Sequence, residues 1–270
     1  MRPASFEYSR ASSVAEAVNQ LGAAGPEAKV ISGGQSLLPM MRVRLAQPTH
    51  LVDINRIPGL DYVKVDSERL RVGALVRHAD LARSVVVRRQ LPLLAEMAAE
   101  IGDTQIRNRG TIGGVMAHAD PGGDYPTLAV MLDATVVTDR REIPAADFFQ
   151  HLFTTPLEAD ELVCEITFPL ASGPHHYLKF RLRRYDWAIV GAGVQRLGSG
   201  WRVGLTHVGP TPARLRSVEI ALDAEAPVAE AAQLASEGLD PPSDVRASSE
   251  YRLHLARVLT RRALELAALD

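Results

Sequence analysis

The chain has 270 residues, 46% apolar and 23% charged, with a formal net charge of −2. This is the make-up of a soluble globular protein, long enough to bury one compound core or two to three smaller ones. Near-neutral, interspersed charge excludes the basic field that nucleic acid or an anionic lipid surface requires. The single cysteine, Cys164, excludes an internal disulfide, a cysteine zinc site and an iron–sulfur cluster built by this chain alone.

That cysteine usage points to a reducing compartment. The opening residues carry no apolar run of signal-peptide or membrane-span length, so a cytoplasmic location is expected. Ser12 or Ser13 caps a helix whose positions Val14, Ala17, Val18 and Leu21 share one face, with Gly22 and Gly25 expected to stop it. Lys29-Val30-Ile31 leads into a glycine turn, and residues 50–54 form a second apolar run between Pro48 and Pro58. Residues 1–57 therefore read as a small β-α-β-like subdomain.

Residues 62–65 and 70–73 read as a hairpin about Asp66-Ser67-Glu68. From 78 to 101 helical stretches broken at Pro92 are expected, and residues 111–139 and 161–168 read as strand-like content around loops, so 58–170 forms an α+β second subdomain. After the connector Ala171-Ser172-Gly173-Pro174, strands centred on 177–181, 188–195 and 202–208 predict an antiparallel meander. Residues 223–244 read as helix and loop. A helix over 250–267 places Leu253, Leu255, Ala256, Leu259, Ala263, Leu264 and Leu266 on an apolar face that packs on the meander, completing a third unit over 171–270.

Chemistry concentrates in two glycine turns. Ser32-Gly33-Gly34-Gln35-Ser36 follows a β-branched run, and paired glycines let backbone N–H groups converge on an anion, with serine hydroxyls as further donors and Leu37-Leu38-Pro39-Met40-Met41 as an apolar wall. Thr111-Ile112-Gly113-Gly114-Val115 repeats the Gly-Gly step beside a hydroxyl, ahead of His118-Ala119-Asp120-Pro121. A Gly-Gly step alone is an ordinary turn. One in each of two neighbouring subdomains is the arrangement that clamps a dinucleotide diphosphate from two sides.

Other chemistries lack their residues. Gly191-Ala192-Gly193 is followed by Arg196 where a dinucleotide fingerprint needs its third glycine, and neither glycine turn carries the Lys-Ser/Thr pair of a triphosphate-binding loop. Ser36 lacks the second glycine of a nucleophile elbow. His118 reads as a structural or cofactor contact, and the adjacent His175-His176 point apart, so no metal site and no catalytic residue is expected.

The strings SGGQSLLPMM and TIGGVMAHADPGGDYP, in this order, closely resemble the two FAD loops of the flavin subunits of molybdenum hydroxylases. Phe6-Glu7-Tyr8, Leu51-Val52-Asp53-Ile54, the run Tyr251 to Ala256 and Arg261-Arg262-Ala263-Leu264 resemble that family's segments too, so the likeness spans almost the whole chain. The resemblance implies an α+β, p-cresol methylhydroxylase-like FAD-binding fold of two subdomains, followed by a carbon monoxide dehydrogenase flavoprotein-type C-terminal domain.

It further implies that residues 32–36 with Leu37, and 111–115, hold the FAD pyrophosphate. Asp124, Val163 and Lys179 fall on family positions at the cofactor, and Trp187 matches an aromatic that lies against the isoalloxazine. Ser32 stands where the family usually has Ala. Val115 replaces a polar side chain and leaves only its backbone N–H, and Tyr185 stands where Gly is common. The implied partners are a molybdopterin-binding large subunit and a [2Fe–2S] small subunit, in a dimer of heterotrimers. The alternatives are a stand-alone FAD oxidase or cyclase, which needs its own acid/base pair, and a flavin-free scaffold of the same fold.

Overall fold

A computed structural model describes residues 2–66, 68–198 and 200–269. In the first lobe, β1 (Glu7–Arg10), α1 (Val14–Ala24), β2 (Ala28–Ile31), α2 (Leu37–Arg42) and β3 (His50–Asp53) follow in order. The three strands form a parallel sheet in the order β1-β3-β2. Ser13 caps α1 by accepting the Glu16 N–H at 3.1 Å. The helix runs through Gly22 and ends at Gly25, whose φ of 82° gives the left-handed stop. Gly22, expected as a second stop, is helix interior, because an end needs that backbone turn and not merely a glycine. Ala17 and Leu21 pack with Ala28, Val52 and Ile54 beneath the sheet, joined by Leu75 and Leu162 from farther along the chain.

The second lobe contains β4 (Val63–Val65), β5 (Arg69–Gly73), α3 (His78–Arg83), α4 (Val85–Gln90), α5 (Pro92–Ala99), α6 (Thr104–Arg109), α7 (Ile112–His118), α8 (Asp124–Met131), β6 (Thr135–Thr138), β7 (Glu142–Pro144), α9 (Ala145–Phe148) and β8 (Val163–Pro169). Its antiparallel sheet has the order β4-β5-β8-β6-β7. The β4–β5 hairpin stands as expected, although Ser67 in its turn lies outside the described residues. Pro92 opens α5.

Residues 111–131, expected as strand-like, are mostly the helices α7 and α8. Every residue of α8 but Val130 is buried, so no polar face betrays the helical period. Thr111 caps α7 through the Gly114 N–H, and Ala119 closes it with φ 49°.

The third unit comprises β9 (His175–Phe180), β10 (Val190–Leu197), β11 (Gly200–Thr206), β12 (Ala213–Arg214), α10 (Arg216–Asp223), α11 (Val228–Ala231), a 3₁₀ turn over Ala232–Ser236, and α12 (Ser249–Ala267). The antiparallel sheet runs β12-β11-β10-β9. Leu255, Ala256, Leu259, Ala263 and Leu264 of α12 pack on Val190, Ala192, Val194, Val203 and Leu205, which bears out the helix-on-meander reading. Two details differ from the periodicity. Leu266 is exposed, and Arg252 in the first turn is fully buried and bonded to Ile189 O and to Asp244 at 2.8 Å.

Candidate FAD-binding site

The first glycine turn leaves β2 and enters α2, and the second enters α7. Packing forces their glycines. A Cβ on Gly33 would lie 2.5 Å from Arg109 O and 2.7 Å from Gly110 Cα, and one on Gly113 would lie 2.5 Å from Ala74 Cβ. Gly34 has φ 70°, open to glycine and costly for most side chains. These approaches bring the two lobes together at the turns: Ser32 Oγ and Thr111 Oγ1 share a hydrogen bond of 3.0 Å.

The two turns are not equivalent. Around α7 the N–H groups are already used: Ile112 donates to Val76 O, Gly113 to Ala74 O, Gly114 to Thr111 Oγ1 and Val115 to Thr111 O. The N–H at Val115, expected as that position's remaining contribution, is therefore spent inside the helix. In the first turn, none of the N–H groups of Gly33, Gly34, Gln35 and Ser36 has an acceptor among the described residues. Unpaired backbone donors in a partly buried turn are costly unless an anion or water meets them. Gly114 is exposed beside the two hydroxyls.

The remaining expected residues lie on several elements. Leu37 begins α2, while the Ile112 side chain is wholly buried and anchors α7 from below. Val163 starts β8, and the next carbonyl, Cys164 O, accepts from Ala74 N, whose own carbonyl holds the Gly113 N–H. His118 closes α7, with Nε2 3.9 Å from Asp120 Oδ2 and its ring 5.2 Å from that of Phe153; burial holds its pKa below the usual histidine value.

Asp124 and Lys179 meet each other, joining α8 to β9. Their ion pair is 2.7 Å long, both side chains are 4% exposed, and the Tyr177 hydroxyl also donates to Asp124. Burial pushes that tyrosine well above its ordinary pKa. Trp187 is 45% exposed and lies by Gly122 and His207, whose Nδ1 is 2.6 Å from Ala188 O. Gly191-Ala192-Gly193 lies inside β10, where a Cβ on Gly191 would strike the Tyr177 hydroxyl at 2.6 Å.

Residues passed over in the sequence also shape the site. Asn55 holds Ser32 O at 2.8 Å, and Arg77 holds Asn55 Oδ1 at 2.6 Å and Arg109 O. Neither follows a glycine step or a charge cluster, so only folding reveals them. The whole arrangement fits a dinucleotide diphosphate: a turn with unspent donors, two hydroxyls and close backbone approach where a side chain would obstruct.

Comparison with known proteins agrees. Residues 4–171 match the FAD binding domain in molybdopterin dehydrogenase, and residues 175–267 match the CO dehydrogenase flavoprotein C-terminal domain. The carbon monoxide dehydrogenase medium chain of Hydrogenophaga pseudoflava is 41% identical, over 99% of this chain and 98% of its own length. The 6-hydroxypseudooxynicotine dehydrogenase complex subunit alpha of Paenarthrobacter nicotinovorans is 37% identical, over 98% and 95%. Among solved structures, carbon monoxide dehydrogenase from Hydrogenophaga pseudoflava superposes with a TM-score of 0.95 at 41% identity, covering 100% of this chain and 99% of that one. Quinoline 2-oxidoreductase from Pseudomonas putida 86 gives 0.92 at 32%, covering 99% of each. With an α+β FAD-binding fold that meets at two glycine turns and a flavoprotein C-terminal domain behind it, the chain belongs to the FAD-binding medium subunits of the molybdenum hydroxylases.

Proposed function

We propose that this chain is the electron-transfer subunit of a heterotrimeric molybdenum hydroxylase. A molybdopterin-binding large subunit oxidises the substrate, a small subunit relays electrons through [2Fe–2S] clusters, and this chain delivers them to an external acceptor. FAD, when held by this chain's residues, would supply the redox chemistry between the clusters and the acceptor. The observation that carries the reading is the Ser32–Thr111 contact, which places the unspent donors of the first turn against the second lobe. Relatives that are medium chains of multi-subunit dehydrogenases favour it over a stand-alone oxidase.

In this reading the chain's own residues bind and orient. Ser32, Gly33, Gly34, Gln35 and Ser36 hold the diphosphate, with Leu37 as apolar wall, and Thr111 with Gly113 and Gly114 closes the second side. Ile112 and Val115 anchor α7 beneath it. Val163, His118 and the Asp124–Lys179 pair shape the flavin side, and Trp187 covers a flavin face. We assign the FAD lobes to residues 1–57 and 58–170 and the C-terminal domain to 171–270, in a cytoplasmic dimer of heterotrimers. Among the described residues no helix is long and apolar enough to cross a membrane.

The test is copurification of the tagged chain from its native host. Two partners, one carrying molybdopterin and one [2Fe–2S] clusters, with a flavin absorption spectrum, are the expected result. A flavin-free complex, or a chain that turns over a substrate alone, overturns the reading.

A further inference from the structure

The first glycine turn is held from behind by a series of donors that begins on a cation. Arg77 Nη2 donates to Asn55 Oδ1 at 2.6 Å, and Asn55 Nδ2 donates to Ser32 O at 2.8 Å. The direction of the Asn55 amide is set by Asp53, whose Oδ1 accepts from Asn55 Nδ2 at 2.7 Å and from Asn55 N at 2.8 Å. With its NH₂ group committed to Ser32 O and Asp53, the amide turns its oxygen to Arg77.

The peptide between Ser32 and Gly33 is trans, so its N–H points opposite to the carbonyl that Asn55 holds. Gly33 N–H is thereby presented on the side away from Asn55, without a protein acceptor among the described residues. Gln35 Nε2 holds the next carbonyl, Gly33 O, at 3.0 Å and leaves Gly34 N–H free in the same manner.

Arg77 itself is unusual. It is half-buried, both of its acceptors, Asn55 Oδ1 and Arg109 O, are neutral, and among the described residues it makes no ion pair with a carboxylate. Burial and the neighbouring Arg109 charge press its pKa down. Asp80, Asp53 and Asp61 offset this only at a distance, without a direct ion pair, and a partly desolvated cation so placed is further relieved by an anion nearby. Its second arm reaches the carbonyl against which Gly33 packs, so one guanidinium ties the first turn to the segment leading into the second.

We propose that Arg77 and Asn55 are positioning residues for the dinucleotide diphosphate, relaying the Arg77 charge through two aligned amides, the Asn55 side chain and the Ser32–Gly33 peptide, to the Gly33 N–H. Each donation in such a series polarises the next, so the terminal N–H becomes the strongest donor of the turn. The inference rests on the assignment of this turn to FAD.

The test titrates FAD and ADP into the flavin-stripped complex carrying the native chain, Asn55→Asp, Arg77→Met or Arg77→Lys, and records the melting temperature without ligand. Asn55→Asp is the decisive variant: it keeps an acceptor for Arg77 but loses the donor to Ser32 O and cancels the charge. It and Arg77→Met are expected to weaken FAD and ADP alike by about tenfold or more, the range of a charge-assisted hydrogen bond. Melting is expected to fall modestly and not in step with affinity across the variants, with Arg77→Lys intermediate in affinity and the salt dependence of binding reduced. Native-like affinity in Asn55→Asp, a loss for FAD not shared by ADP, or a loss that follows the melting temperature with no rescue by lysine overturns the relay and leaves the FAD assignment standing. Failure of the native complex to take up FAD overturns both.

Discussion

Substituting Gly114 by aspartate separates the binding role of the glycine turns from their structural one. Gly114 is the third residue of α7 after its cap Thr111, and an acidic residue in the first turn of a helix is favoured by the helix dipole by about 0.3–1 kcal/mol. Replacing a helical glycine by a residue with a Cβ recovers several tenths more. The new Cβ would lie 2.9 Å from Thr111 Oγ1 and 3.1 Å from Ser32 Oγ, so the capping hydroxyl must shift by a few tenths of an ångström, a displacement that the Gly114→Ala control shares. The fold should therefore tolerate the change.

A diphosphate lodged at those hydroxyls would not. A carboxylate about 5 Å from about two phosphate charges, at an effective dielectric of about 40, costs about 3 kcal/mol, or about a hundredfold in affinity. Flavin content of the purified complex from its absorption spectrum, together with the melting temperature, is the assay, and Gly114→Ala is the uncharged control. Gly114→Asp should fold normally and lose its flavin, while Gly114→Ala keeps most of it. Full flavin content in Gly114→Asp would refute the assignment of the second turn.

Three further outcomes are expected. Lys179→Met leaves Asp124 buried without its 2.7 Å partner, which should destabilise the protein by about 3–5 kcal/mol in chemical denaturation, with much of the loss restored in the double variant Lys179→Met/Asp124→Asn. Burial lowers the His78 pKa to about 3. The unfolded chain binds that proton below about pH 6.5 and the folded chain does not, so this histidine's stabilisation is complete above about 6.5 and falls toward pH 3 by up to about 1.4 kcal/mol per pH unit. His78→Gln should flatten that part of the pH–stability curve. On the proposed assignment of Trp187 to a flavin face, Trp187→Ala should raise bound-flavin fluorescence with little change in FAD affinity, because an exposed ring there would quench the flavin without holding the diphosphate. Unchanged fluorescence would remove Trp187 from the site.

Much of the fold was legible from local pattern. The helix of Val14, Ala17 and Leu21, whose cap the structure settles as Ser13 rather than Ser12, the hairpin over residues 62–73 and the long helix on an antiparallel meander all carry one buried and one solvated face, and such faces print their period on the sequence. The helices α7 and α8 carry no such print, because Ile112, Met116 and nearly all of α8 are buried. The two glycine turns were legible because backbone approach admits no other residue at Gly33 or Gly113. The pairing of Asp124 with Lys179 was not, since both positions read as separate cofactor contacts until α8 and β9 packed together.

The sequence by itself determined the run of subdomains and the two turns, through side-chain periodicity and positions that only glycine can occupy, while the family and its fold came from the likeness of whole segments to known flavin subunits. Only the tertiary structure decided how the turns divide their work. Whether a backbone N–H is free depends on which carbonyl lies opposite it, and Val76 O, Ala74 O and Thr111 O happen to face the second turn and not the first. The same holds for Arg77 and Asn55, which lie 22 residues apart and become one unit through a hydrogen bond that exists only once the residue after β3 meets the cap of α3.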